Sequence, residues 1–268
     1  MKFNQRAVAF IWATTVAVSC NVIAEEQIDA SDPTKIYTYA GVGLKAVDYT
    51  NDESMVEARV VGNTGLSPND MLLFEFGYGN HSGSKEPGSN SGLTNSRARW
   101  FHLFEMDYSV TRGFRGFASQ VDLQVAGELK GTDGQNVVSI GGMAAFGVSE
   151  TISFYLPVSI VNSWDKRFEY HNGVGISLAP LLVYTPTNWW EGAFVQIWPN
   201  YVKFVSGELK NEGAGNFDAH VGGSITPTVI WTLSYQKNVD QDLRSFKRGQ
   251  ETGLTNDQNL FFNVSTYF

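Results

Sequence analysis

The chemistry this chain could perform lies in charged and amide side chains set two residues apart. Glu57 and Arg59, Arg97 and Arg99, Glu105 and Asp107, Gln120, Asp122 and Gln124, Asp218 and His220, and Ser234 and Gln236 all show that spacing. Residues two apart share one face of an extended strand, so each group forms a polar row. Lys45, Glu75, Glu128 and Asn263 fall on the corresponding face of their own segments. The bases concentrate in the first, second and fourth segments, whereas acids occur throughout. Two outcomes are open. Opposed charges across a wet lumen order water and orient polar solutes. The same charges could instead pair with one another and fill a narrow barrel as a structural core.

Other chemistry is poorly supported. A nucleophilic serine needs a histidine beside it as base. The stretches Asn80-His81-Ser82-Gly83, Ser89-Asn90-Ser91-Gly92 and Ser96-Arg97-Ala98-Arg99-Trp100 contain the right residue types. They resemble the His-x-Ser pair of outer-membrane phospholipases in vocabulary alone, because the residue two after His81 is Gly83. His81 is expected at a loop mouth and His102 on an outer face between Trp100 and Phe104. His171 falls in a long loop and His220 on the inner face. A calcium site among Asp240, Asp242 and Asp257 competes with the plainer reading of a solvated acidic loop. No phosphate-cradling glycine motif precedes a helix. The expectation is a protein without cofactor, metal or enzymatic activity.

Strands must hold these rows. Alternating segments recur at 36–48, 55–63, 70–80, 97–109, 115–129, 136–148, 151–163, 173–185, 190–205, 216–225, 228–239 and 259–268. About twelve strands of this length, tilted about 45°, would span a bilayer. Phe117, Val121 and Leu123 oppose Gln120, Asp122 and Gln124, and Trp231, Leu233 and Tyr235 oppose Thr232, Ser234 and Gln236. A two-sheet sandwich would alternate in the same way. The gaps favour a membrane barrel. Those after even-numbered segments are tight except for 64–69, and those after odd-numbered ones are long and polar except for 49–54. The loops at 81–96 and 240–258 are the candidates for folding inward. Trp189 and Trp190 by a short turn, and Trp164 and Trp100 by long loops, suit interfacial girdles. Pro199 inside the ninth segment predicts a bulge or break.

The chain ends and the composition point the same way. A basic start (Lys2, Arg6), an apolar run from Ala7 to Val18 and small residues before Glu25 read as a secretory signal peptide over 1–24, cleaved after Ala24. Cys20, the single cysteine, lies inside it, and lipidation there is the alternative. A short periplasmic segment, 25–34, then leads to a barrel over 35–268. Without Lys2 and Arg6, 17 of the 19 basic residues face 27 acidic ones, a net charge of −10 that argues against a nucleic-acid partner. No later apolar run approaches the roughly 20 residues of a membrane helix.

The last stretch, Leu260-Phe261-Phe262-Asn263-Val264-Ser265-Thr266-Tyr267-Phe268, sets Leu260, Phe262, Val264, Thr266 and Phe268 on one face. It resembles the C-terminal signature of Gram-negative outer-membrane β-barrel proteins. The resemblance implies an all-β transmembrane antiparallel barrel with short periplasmic turns and long extracellular loops, located in the outer membrane. It also implies lipid as a partner and recognition of Leu260–Phe268 by the insertion machinery. The hairpin Phe146-Gly147-Val148-Ser149-Glu150-Thr151-Ile152-Ser153-Phe154-Tyr155-Leu156-Pro157 is similar to those of phenol-degradation-pathway and hydrophobic-solute outer-membrane transporters. Passive passage of small solutes is the function these readings imply. A closed structural or adhesive barrel is the alternative, and a phospholipase-like enzyme the third. The lumen charges suit polar solutes and the hairpin resemblance hydrophobic ones, so the solute stays open.

Overall fold

Apolar side chains at alternate positions must leave water, and a closed sheet does this by turning them outward into lipid while the polar rows turn inward. The computed structural model describes residues 28–49, 53–82, 90–127, 129, 135–241 and 256–268. The signal-peptide expectation, Cys20 and the loop aspartate Asp242 lie outside these residues.

The strands are β1 (Tyr39–Tyr49), β2 (Ser54–Ser67), β3 (Asp70–Ser82), β4 (Ser91–Phe104), β5 (Gly113–Ala126), β6 (Asn136–Ser149), β7 (Ile152–Trp164), β8 (His171–Leu178), β9 (Leu181–Tyr184), β10 (Phe194–Phe204), β11 (Gly213–Thr226), β12 (Val229–Gln241) and β13 (Asn256–Tyr267). Each pairs antiparallel with its neighbours. β8 and β9 are two halves of one wall position, both lying between β7 and β10. β13 pairs β12 on one side and β1 on the other, in a register running from Tyr39 opposite Tyr267. The result is a closed 12-strand antiparallel barrel with no exposed sheet edge.

The apolar face of the closed sheet is the outer one. Leu44 is 63 % exposed, Val42 61 % and Ile140 60 %, whereas their inward neighbours Val47, Glu57 and Asp122 are buried. An apolar belt on this scale has no place on a water-soluble surface. At the rim that carries residue 28 and Phe268, called the terminal rim below, Trp189, Trp190 and Trp231 stack with ring centroids 5.4 and 5.9 Å apart. Gly223 makes this possible, because a Cβ there would lie 1.9 Å from Trp190 Nε1.

Three elements differ from the sequence reading. β4 spans Ser91–Phe104, not 97–109, because Glu105 adopts a positive φ of 32° and a turn follows. The run Trp100-Phe101-His102-Leu103-Phe104 is apolar on both faces, so its alternation could not locate the strand end. The shift also brings Trp100 towards the terminal rim. The connection expected to be loose at 64–69 is tight, since β2 extends to Ser67 and β3 begins at Asp70. Pro199 leaves β10 itself continuous and in register with β11. The break appears next door, between β8 and β9 at Ala179-Pro180, where the register brings Pro180 opposite Pro199 and neither can donate an N–H.

The terminal rim is plugged. Met71, Phe101, Leu103, Ala118, Met143, Ala145, Tyr155, Leu181 and Val183 point inward there and form a dry cluster, with Ile36, Leu73 and Trp198 packed on it. Residues 28–38, part of which was expected as a free periplasmic segment, enter this end. Ile28, Ala30 and Tyr37 pack with Phe194, Ile230 and Tyr267. Gln196 donates to the Ser31 carbonyl at 2.8 Å and the Tyr108 hydroxyl to that of Thr34 at 2.9 Å. A short segment beside so large an apolar surface is more stable docked than in water. Within it, burial pushes the Asp32 carboxyl above its usual range, opposed by bonds from the Thr34 hydroxyl and amide.

Candidate solute path

β1 to β5 carry most of the charge into the lumen. Arg59 stands opposite Gly43 on β1 and Gly77 on β3, so no flanking side chain crowds its guanidinium. It donates to Glu57 at 2.6 Å, to Glu75 at 2.8 Å and to the side-chain Oδ1 of Asn95 at 3.0 Å. A Cβ at Gly77 would lie 2.6 Å from Glu57 Oε1, so the glycine also makes room for this buried carboxylate. Asp122 is the second node, held by Arg97 at 2.5 Å and 2.9 Å and by Arg99 at 3.2 Å. Bidentate pairing of this kind fixes both partners in orientation. Lys45 shares the lumen with them and has no ion pair within 4.0 Å.

The opposite wall, β10 to β13, is richer in amides. Here Asp218 and His220 point inward, the His220 Nδ1 lying 2.7 Å from the Ser234 hydroxyl. Asn259 donates to Gln236 at 2.5 Å and Asn263 to Ser265 at 2.9 Å. Together the walls enclose a cavity of about 1100 Å³ that opens at the long-loop rim. Its floor is Tyr39, Leu73, Pro157 and Trp198, above the apolar plug. Lys45, Arg59, Arg97, Arg99, Lys166 and Arg167 line it, against Glu75, Asp122, Asp165, Glu169, Glu208 and Asp218. Six cations stand against six anions at the cavity surface, with Glu57 behind Arg59, so charges of both signs face each other across it.

Of the residues singled out from the sequence, Lys45, Arg59, Glu75, Arg97, Arg99, Asp122, Asp218 and His220 line this cavity. Glu57 lies behind Arg59 and is 1 % exposed. Glu128 lies outside the described residues. Glu105 and Asp107 are placed elsewhere: both are exposed in the turn after β4, because that strand ends early. The Ser109 hydroxyl and amide bind Asp107 at 2.6 and 3.0 Å and hold its carboxyl below the usual range. Residues of the candidate inward loops at 83–89 and 242–255 are outside the described set. The loops the structure does place at the mouth are 165–170 and 205–212, through Lys166, Arg167, Tyr170 and Glu208. Sequence reasoning missed Trp198 as a floor residue. Its indole N–H reaches the Ala179 carbonyl at 2.9 Å across the broken strand.

The histidines bear on the enzyme alternative. His81 is buried at the long-loop rim, 3.2 Å from Glu53. His102 faces outward between Trp100 and Phe104, and its Nδ1 lies 2.9 Å from Asp70. Ser119 stands opposite His102 on β5, but no hydrogen bond joins the two among the described residues. An acid and a base are therefore adjacent on the lipid face without an engaged nucleophile. Among the described residues no group of three or more His, Cys, Asp or Glu could hold a metal ion.

No protein-family model matches the chain, and no curated protein matches it. Solved structures do. An outer-membrane channel from Pseudomonas putida F1 aligns with a TM-score of 0.55 at 10 % identity, over 92 % of this chain and 100 % of that one. The KdgM porin in complex with disordered oligogalacturonate aligns at 0.53 and 9 % identity, over 85 % and 99 %. The NanC porin aligns at 0.52 and 7 % identity, over 86 % and 98 %. At such identities the likeness is one of architecture, and with the closed wall and its apolar belt it leads to one conclusion: this chain has the fold of the Gram-negative outer-membrane β-barrels.

Proposed function

We propose that the protein is an outer-membrane channel for passive passage of small polar solutes, with the long loops outside the cell and the plugged rim in the periplasm. The observation that carries this reading is the cavity of about 1100 Å³ lined by charges of both signs, open at one rim and floored by side chains of the wall, with residues 28–38 docked beneath them. In this reading residues 1–24 direct export and Leu260–Phe268 is read at insertion. The lumen-lining charges Lys45, Arg59, Glu75, Arg97, Arg99, Asp122, Asp218 and His220, with Glu57 behind them, define the solute path. The wall cluster around Met71 and Tyr155 closes it at the periplasmic end together with residues 28–38, and passage requires that both shift. Two of the structural neighbours are named as porins, one of them bound to an acidic oligosaccharide, which supports a polar solute.

The plug also favours a second reading, a closed barrel that acts through its loops. Planar-bilayer recording on the full barrel and on a variant lacking residues 28–37 separates the two. A channel gives conductance steps that grow on removal of the segment. Absence of steps from both proteins, with the barrel shown to be folded, overturns the channel.

A further inference from the structure

Three neighbouring inward positions on β11 each carry a buried polar atom without a hydrogen-bond partner: Asn216 Oδ1, Asp218 Oδ1 and His220 Nε2. Buried polar atoms are nearly always satisfied, so such a row is hydrogen-bonding capacity of the cavity wall that no protein group uses. All three residues line the cavity. Asp218 is also the acid left over when the lumen's ion pairs are assigned. Arg59 is taken by Glu57 and Glu75, and Arg97 and Arg99 are taken by Asp122. Among the described strand residues whose charges line the cavity, those without an ion pair within 4.0 Å are Lys45 and Asp218. They are near enough to interact electrostatically, yet not in contact.

An ammonium donor and a carboxylate acceptor therefore share the cavity lining without an ion pair between them. Direct cross-strand pairing sets Phe261 on one side of Lys45 and Glu57, itself bound to Arg59, on the other, so the space between Lys45 and Asp218 has one apolar flank. A solute that fills it must offer an acceptor to Lys45 and a donor to Asp218. We propose that the mid-lumen holds a subsite for a small zwitterion of the α-amino acid class, its carboxylate on Lys45 and its ammonium on Asp218. Asn216 and His220, on either side of Asp218, take further N–H or O–H groups of the solute. The subsite rests on the reading of the lumen as a solute path, and its chemistry follows from complementarity: an anion alone leaves Asp218 unpaired, a cation alone leaves Lys45 unpaired.

Calorimetry on the detergent-solubilised full barrel tests this with three probes: L-serine, glycolate (carboxylate without ammonium) and ethanolamine (ammonium without carboxylate). Serine should bind saturably and at least tenfold tighter than either single-charge probe. Lys45→Met and Asp218→Asn should each weaken serine tenfold or more. The double variant Lys45→Asp with Asp218→Lys should restore most of the affinity, which a merely structural pair would not do for a ligand. Equal binding of the three probes, or serine affinity unchanged in both single variants, overturns the subsite. Conductance measured alongside keeps the two proposals apart. A conducting barrel that does not bind serine loses the subsite alone, and a barrel that binds serine without conducting retains it while the channel falls.

Discussion

Replacing Asp122 by Asn should turn a nearly unselective pore into an anion-preferring one. Asp122 carries the single negative charge that offsets Arg97 and Arg99, with contacts of 2.5 and 3.2 Å. Neutralising it leaves a cavity with six cations against five of its six anions, and both guanidiniums free to turn to the lumen. A unit charge about 5 Å from a passing ion in water is worth roughly 0.8 kcal/mol. Screening at 0.1 M salt, with a Debye length of about 10 Å, reduces this to roughly 0.5 kcal/mol. Each ion species then changes about twofold in local concentration, in opposite senses, so the anion-to-cation permeability ratio rises about fivefold. Reversal potentials in planar bilayers across a tenfold potassium chloride gradient read that ratio directly. A variant that conducts with unchanged reversal potential would show that ions bypass this wall, and the lumen argument would fail.

Three more consequences can be measured. Leu44→Arg places a charge on the lipid face of β1, where Leu44 is 63 % exposed, and should cost about 2–4 kcal/mol near the bilayer midplane. Urea unfolding from lipid vesicles checks it, and a cost near zero would mean this face does not meet hydrocarbon. Gly223→Val should expel Trp190 from its stack on Trp231, with loss of about 0.5–1.5 kcal/mol of aromatic contact and a change in near-ultraviolet circular dichroism. Asp32 supplies a pH dependence. Burial holds its carboxyl above the ordinary value of 3.8, so the docked segment binds the proton more readily than the free one. That contribution to docking is complete at low pH and is lost as pH rises from 3.8 through the raised value. Conductance should increase across that window, and Asp32→Asn, which cannot ionise, should remove the dependence.

The strand pattern was legible because alternation is a local property: one residue inward, the next outward, with lipid and water rewarding opposite choices. Most of the lining charges therefore followed from parity alone. Glu105 and Asp107 did not, because Trp100 to Phe104 is apolar at every position except His102 and hides where β4 ends. The tightness of the 68–69 connection and the split at Ala179-Pro180 were hidden for a related reason. A proline shows that a donor is missing but not which neighbour loses it.

By itself the sequence determined the class of wall: its strands, their inward faces, and a last strand in need of a partner. Tertiary structure alone decided what fills the barrel. Whether Arg59 meets Glu75 or open water, whether Lys45 forms an ion pair, and whether Ile36 packs on the cluster around Met71 depend on contacts between residues far apart in the chain. Those contacts arise when the sheet closes and brings distant strands within a side chain's length. Local periodicity carries no record of that closure, and so the plug and the unpaired charges could be seen only in three dimensions.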